Sequence, residues 1–173
     1  MKLLIRCISP VLFVAAFALS DQTHAQDGRP ECNVDQISDQ LIWTCPGGLT
    51  IIEENGARFA LEDRDHDGNV DLIRLWRKAV LLVVVQARGR VVEVVTPQAL
   101  AAVRGTKWAV DVGDGKTSVF VVRGAVGVRR LSVGPEVVLT RGEGVDVDSS
   151  HSPLHVKEWG AARVAALMAR LGQ

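Results

Sequence analysis

The sequence predicts an all-β fold: a Gly-punctuated module of antiparallel or solenoid-like strands closed by one C-terminal amphipathic helix. Three observations predict it. From Leu41 onward, short β-branched runs recur, such as Ala79-Val80-Leu81-Leu82-Val83-Val84-Val85 and Val91-Val92-Glu93-Val94-Val95, with the length and composition of strands. Arginine precedes glycine at Arg88-Gly89, Arg104-Gly105, Arg123-Gly124 and Arg141-Gly142, steps 16, 19 and 18 residues apart, which suits turns between short strands or coils. Only the C-terminal end changes period: Val164, Leu167, Met168 and Leu171 share one helical face.

The chain divides into residues 1–25, 26–48, 49–150 and 151–173. The first segment reads as an export signal. Lys2 and Arg6 precede the apolar run Val11 to Leu19, which is too short for the roughly 20 residues of a bilayer span. Thr23-His24-Ala25 offers small residues where a signal peptidase reads, so cleavage is expected after Ala25, with Ala18-Leu19-Ser20 the second choice. Cys7 sits ahead of the apolar run and does not fit a lipidation site. No later run is long and apolar enough to span a membrane. The expected location is therefore periplasmic or secreted.

Cleavage leaves Cys32 and Cys45 as the remaining cysteines. Two nearby cysteines in an exported chain most simply form one disulfide, and neither has the spacing of a metal or redox motif. Residues 26–48 are thus expected to be a disulfide-closed N-terminal segment. Leu49 to Glu62 centres on Asn55-Gly56, a strong hairpin signal. A two-residue turn there pairs Glu53 with Arg58, Ile52 with Phe59 and Thr50 with Leu61, and predicts a Glu53–Arg58 ion pair.

Asp63 to Asn69 reads as a turn, Val70 to Arg77 and Lys78 to Ala87 as two strands, and Arg88-Gly89-Arg90 as the next turn. Beyond Pro153, a helix is expected over Glu158 to Leu171, supported by Ala161, Ala162, Ala165, Ala166 and Ala169. Arg163 and Arg170 fall on one side of it, and its apolar face should cap the β core.

Net charge is zero over the whole chain, and after cleavage 18 basic and 19 acidic residues remain. Bulk charge gives no case for nucleic acid. The distribution is uneven. Glu53 to Asp71 holds seven acids against Arg58 and Arg64, whereas Leu72 to Arg130 holds eleven bases against Glu93, Asp111 and Asp114.

The sharpest local chemistry is Asp63, Asp65, Asp67, Asn69 and Asp71, with Gly68 among them. Carboxylates at alternate positions followed by glycine resemble the first half of a calcium loop. Arg74 stands where the twelfth-position Glu should be, so calcium is a weak expectation beside an ordinary Asx-rich turn. No other cofactor is expected. The arginines of the central half border glycine turns and could also hold an anionic glycan. His151 and His155 flank Pro153, which argues against a helical two-His site. Trp43, Trp76, Trp108 and Trp159 are expected in the core or at its rim. No nucleophile motif such as G-x-S-x-G is present, and an enzyme is not expected.

Val95-Thr96-Pro97, then Arg104-Gly105-Thr106-Lys107-Trp108, the strand Thr117 to Val121, the hairpin Gly124 to Val128 and the late Gly142-Glu143 together resemble the FecR-type periplasmic domain, over about Val70 to Val147. The resemblance implies an all-β fold, with Thr96, Pro97, Arg104, Gly105, Thr106 and Trp108 as the motif. It also implies that Pro97 to Val103 is a strand, although propensity alone permits a helical turn there. Family regulators that sense ferric-siderophore uptake join such a region to a membrane span and an anti-sigma segment. The expected function is an exported, non-enzymatic FecR-like module for protein interaction or regulation at the envelope, with an unknown protein or glycan partner. The alternatives are a calcium-binding envelope scaffold and a transmembrane-signalling relative of those regulators.

Overall fold

The structure, a computed structural model, describes residues 30–85, 91–103, 105–132 and 134–173. The export signal, the Arg88-Gly89-Arg90 turn and Arg104 lie outside the described residues. Among the described residues, thirteen strands and one α-helix follow in order: β1 (Asn33–Ile37), β2 (Gln40–Cys45), β3 (Leu49–Glu53), β4 (Arg58–Glu62), β5 (Leu72–Val84), β6 (Val92–Val95), β7 (Ala99–Val103), β8 (Lys107–Gly113), β9 (Lys116–Arg123), β10 (Ala125–Arg130), β11 (Val137–Thr140), β12 (Glu143–Val147), β13 (Lys157–Glu158) and α1 (Ala161–Arg170). Of the two strand arrangements expected, the antiparallel one is realised. β5 with β6 is the one parallel pair among the described residues.

The sheet is a single curled surface hinged on β5. The first half of β5 pairs with β4 and β6, and β7, β10 and β11 extend that layer. Its second half pairs with β3 and β8, and β2, β1, β9, β12 and β13 extend the other layer. The two expected strands at 70–87 are thus one strand of 13 residues. Lys78 takes φ +64° at the point where it passes between layers, a left-handed state that costs a residue with a Cβ about 1–2 kcal/mol.

Strand alternation builds the core. Ile51, Val80, Leu82, Trp108, Val110, Val119, Val121 and Val145 face Ile73, Leu75, Val94, Ala101, Val126, Val128 and Leu139 of the other layer in one buried cluster. The out-facing residues of the second layer, Ala79, Leu81, Ala109 and Phe120, form a separate cluster under Trp159, Leu167 and Leu171. This is the expected helix cap. α1 begins at Ala161 rather than Glu158, because Lys157 and Glu158 are drawn into a short ladder with β12.

The expected hairpin across Asn55-Gly56 does not form. The turn is there, with the Ala57 amide donating to the Glu54 carbonyl at 2.8 Å, but β3 pairs with β2 and β5, and β4 pairs with β5 alone. Only Gly56 of the central pair is left-handed, at φ +77°. One left-handed residue at the third position makes a type II turn, which splays strands, whereas the type I′ turn that closes an Asn-Gly hairpin needs both residues left-handed. The turn therefore carries the chain from one layer to the other.

The remaining junctions follow the sequence more closely. Gly105, Gly124 and Gly142 all have positive φ between successive strands, and each of these steps carries the chain from one layer to the other, since β7, β10 and β11 lie in the first layer and β8, β9 and β12 in the second. The FecR-like reading of Pro97 to Val103 holds from Ala99 onward. The Thr96 hydroxyl accepts the Ala99 amide at 2.9 Å, an ST-turn that ends before a helix could propagate. A Cys32–Cys45 disulfide closes the first hairpin. Its first strand, β1, was not foreseen, because Asn33-Val34-Asp35-Gln36-Ile37 is exposed throughout and carries no buried face.

Candidate functional site

Where β3 and β4 part, the two layers leave an open mouth, and the cleft in it has a volume of about 570 Å³. That lies within the range of small-molecule sites, roughly 300–1,000 Å³. Trp43, Glu53, Ala57, Arg58, Phe59 and Trp76 line it. The β2–β3 register sets Trp43 opposite Ile51 and Leu41 opposite Glu53, so Trp43 and Glu53 share the inner face. A bulge in the β4–β5 ladder pairs Arg58 with Arg77 and Phe59 with Leu75. Trp76 is the extra residue between them, and bulges redirect side chains in this way.

Trp43 and Phe59 meet edge to face with ring centroids 5.3 Å apart. Trp76 is 51% exposed, a large aromatic surface left open at the rim. Glu53 is only 7% exposed. One of its carboxylate oxygens accepts the Trp43 indole N–H at 3.0 Å. Burial pushes the Glu53 carboxyl up, and the bond from Trp43 offsets part of that rise. The expected Glu53–Arg58 pair is absent among the described ion pairs, because the residues lie on strands that diverge. Arg58 is exposed at the mouth.

The acidic loop brings together part of its predicted set. Carboxylate oxygens of Asp63, Asp65 and Asp71 lie within 4.8 Å of one another. Asp67 and Asn69 are turned to each other instead: the Asn69 amide and side-chain N–H both donate to Asp67 Oδ1, at 2.9 and 2.8 Å. Asp63, 8% exposed, accepts the amides of Asp67 and Gly68 at 3.2 and 2.7 Å. Asp71 accepts the Arg64 amide at 3.0 Å. Burial, and then the negative charges of Asp67 and Asp71, push the Asp65 carboxyl up, against the Asp67 amide bond that lowers it. Arg74, at the twelfth position, pairs with Glu62. The loop has the internal bonding of an Asx turn.

Three of the FecR-like motif residues are buried in the sheet, whereas Pro97 is exposed. Thr106 and Trp108 are fully buried, and Thr96 is 4% exposed. Thr96 and Thr117 hydroxyls share a 2.7 Å hydrogen bond. Gly105 has φ +63°. Glu143 of the late Gly-Glu step accepts the Thr140 amide and hydroxyl at 2.7 and 2.8 Å, which holds its carboxyl low.

Sequence reasoning missed the cleft because its parts are 33 residues apart at the extremes, Trp43 to Trp76, and meet only through the β2–β3 register and the bulge. One local signal was available. Trp76 stands among Arg74, Arg77 and Lys78, where a buried aromatic is out of place.

A curled β-sheet module with Thr106 and Trp108 buried at the junction between β7 and β8 is the class that this fold defines. Residues 60–127 match the family model described as FecR protein, so the resemblance seen in the sequence is shown over β4 to β10. The fold is similar to that of a candidate anti-sigma factor from Parabacteroides distasonis ATCC 8503, in crystal structures at 1.65 and 2.50 Å. Each aligns with a TM-score of 0.56 and 19% identity, over 81% of this chain and 61% of that one. The chain therefore spans less than two thirds of that protein's length. No curated protein matches the chain.

Proposed function

We propose that the chain is an exported, non-enzymatic FecR-like module that regulates by binding a partner in the periplasm or envelope. The observation that carries this is the FecR match over residues 60–127, in a fold like that of a candidate anti-sigma factor. Three further features support it. The leader-like first 25 residues and the Cys32–Cys45 disulfide fit an oxidising compartment. No helix among the described residues is long and apolar enough to cross a membrane. The open cleft presents aromatic rings and a carboxylate, the makings of a binding surface, without a nucleophile and base side by side.

The test combines location with regulation. Cell fractionation should find the mature protein in the periplasm with its N-terminus at Gln26. Deletion should change transcription of a defined gene set, restored by the full chain. A cytoplasmic protein, or a deletion without transcriptional effect, would overturn the reading.

A further inference from the structure

We propose that the cleft between β3 and β4 binds a zwitterion through a quaternary ammonium head, seated among Trp43, Phe59 and Trp76 against the Glu53 carboxylate, with its anionic arm at Arg58. The inference goes beyond the regulatory reading and does not depend on it. The argument starts from Glu53. It is one of two carboxylate residues under a tenth exposed among the described residues, the other being Asp63. Asp63 has an amide donor on each oxygen. Glu53 has one neutral donor, the Trp43 indole, on one oxygen. A negative charge withdrawn from water with one oxygen open calls for a cation.

The walls select the kind of cation. Trp43, Phe59 and Trp76 offer ring surfaces, and ring faces attract cations through their quadrupoles. A primary ammonium has three N–H donors and a guanidinium five. Against one open carboxylate oxygen, most of these donors would lose their water without replacement. A trimethylammonium has no N–H donor, so it sheds water at least cost and touches the rings through its methyl groups. A sugar has the same difficulty as a primary ammonium, since each hydroxyl needs partners that the cleft does not supply. Arg58 at the mouth repels a simple cation but favours a molecule with an anion a few bonds away. The chemistry is that of a betaine or a phosphocholine, either free or as a lipid headgroup.

The experiment titrates the purified protein with glycine betaine and with phosphocholine, read by indole fluorescence and calorimetry. Phosphatidylcholine vesicles, with and without competing free phosphocholine, test the lipid source. The control is the tert-butyl carboxylate isostere of betaine, which keeps shape and anion and removes the positive charge. Saturable zwitterion binding is expected, weakened at least about tenfold for the isostere and for Glu53→Gln or Trp76→Ala. Arg58→Ala should remove the preference for betaine over choline. Trp76 is half exposed and Gln is isosteric with Glu, so both variants should keep the wild-type melting temperature to within a few degrees. Equal binding of the isostere, full binding by Glu53→Gln, or binding of chitobiose in place of either zwitterion would overturn the proposal. None of these results bears on location or transcription, so the regulatory reading stands or falls separately.

Discussion

Gly144→Ala tests how α1 is held on the sheet. Gly144 lies in β12 directly beneath Trp159. A Cβ there would sit 2.3 Å from Trp159 Nε1, 2.4 Å from its Cε2 and 2.7 Å from the Val119 carbonyl oxygen. The φ of Gly144 is not left-handed, so the penalty comes from space alone. The carbonyl belongs to the paired strand β9 and cannot yield without breaking the ladder. The indole must therefore move by more than about 1 Å to reach ordinary contact distance. It would then lose its stack on Phe120, now at 5.1 Å, and its place under the Arg163 guanidinium, now 3.4 Å from the ring centre. Overpacking costs about 1–3 kcal/mol, and the lost aromatic pair about 0.5–1.5 kcal/mol more. The sum, about 2–4 kcal/mol, lowers the melting temperature by roughly 5–15 °C in a chain of this size. Circular-dichroism melts measure it, with Gly113→Ala as the control: that site has nothing within 4 Å and no left-handed φ, and should shift by less than about 0.5 kcal/mol. In a Trp159→Ala background the cost of Gly144→Ala should shrink to what the Val119 carbonyl imposes. Equal melting of Gly144→Ala and Gly113→Ala, or full additivity with Trp159→Ala, would refute the packing argument.

Three other outcomes are expected. Glu53 holds its proton more tightly in the folded protein than in the unfolded chain, so its contribution to stability falls as pH rises through the carboxylate range; Glu53→Gln should raise the melting temperature at neutral pH more than in acid, and a uniform shift across pH would contradict this. Cys32→Ser with Cys45→Ser opens a loop with a sequence separation of 13 and should cost about 3 kcal/mol by chain entropy, read as a lower denaturant midpoint with an unchanged melt of α1. Millimolar calcium should shift the melting temperature no more than magnesium at equal ionic strength, because the loop's oxygens already hold its own amides; a shift of several degrees that Asp65→Asn abolishes would make the loop a calcium site.

The parts of the fold legible in the sequence are those decided locally. The disulfide needs only compartment and count, the helix face only its period, and the Arg-Gly junctions between strands only glycine's access to positive φ, as at Gly124 with φ +93°. The parts that were not legible depend on partners chosen elsewhere in the chain. Ile52 and Phe59 alternate as a hairpin should, yet β5 outbids each as a partner for the other by being long enough to serve both layers. The helix shows the boundary between the two cases. Arg163 and Arg170 are seven apart on one side of α1, which the sequence displays. That they reach Asp146, Asp111 and Glu54 on three different segments follows only from the sheet order.

The uneven charge of the chain is resolved by the same topology, and this resolution singles out Glu53. The acid-rich stretch 53–71 and the base-rich stretch after it do not form opposed patches. Glu62 takes Arg74, Glu93 takes Arg64, and Glu54 takes Arg170 from the far end of the chain. Arg163 grips Asp146 with both nitrogens, at 3.0 and 2.5 Å; burial pushes the Asp146 carboxyl up, and the bonds from Arg163 and Ser118 more than reverse it. Buried Arg130 donates to the Ser152 carbonyl at 2.8 Å and pairs with Asp148. Glu53 differs from these acids in position. It points to the inner face where β3 and β4 part, and it forms no ion pair with an arginine among the described residues, although Arg58 lines the same cleft. A Gln at this position would pack equally well and accept the same indole bond. A carboxylate there costs stability that the Trp43 bond recovers only in part, and the proposed cation would offset more of it.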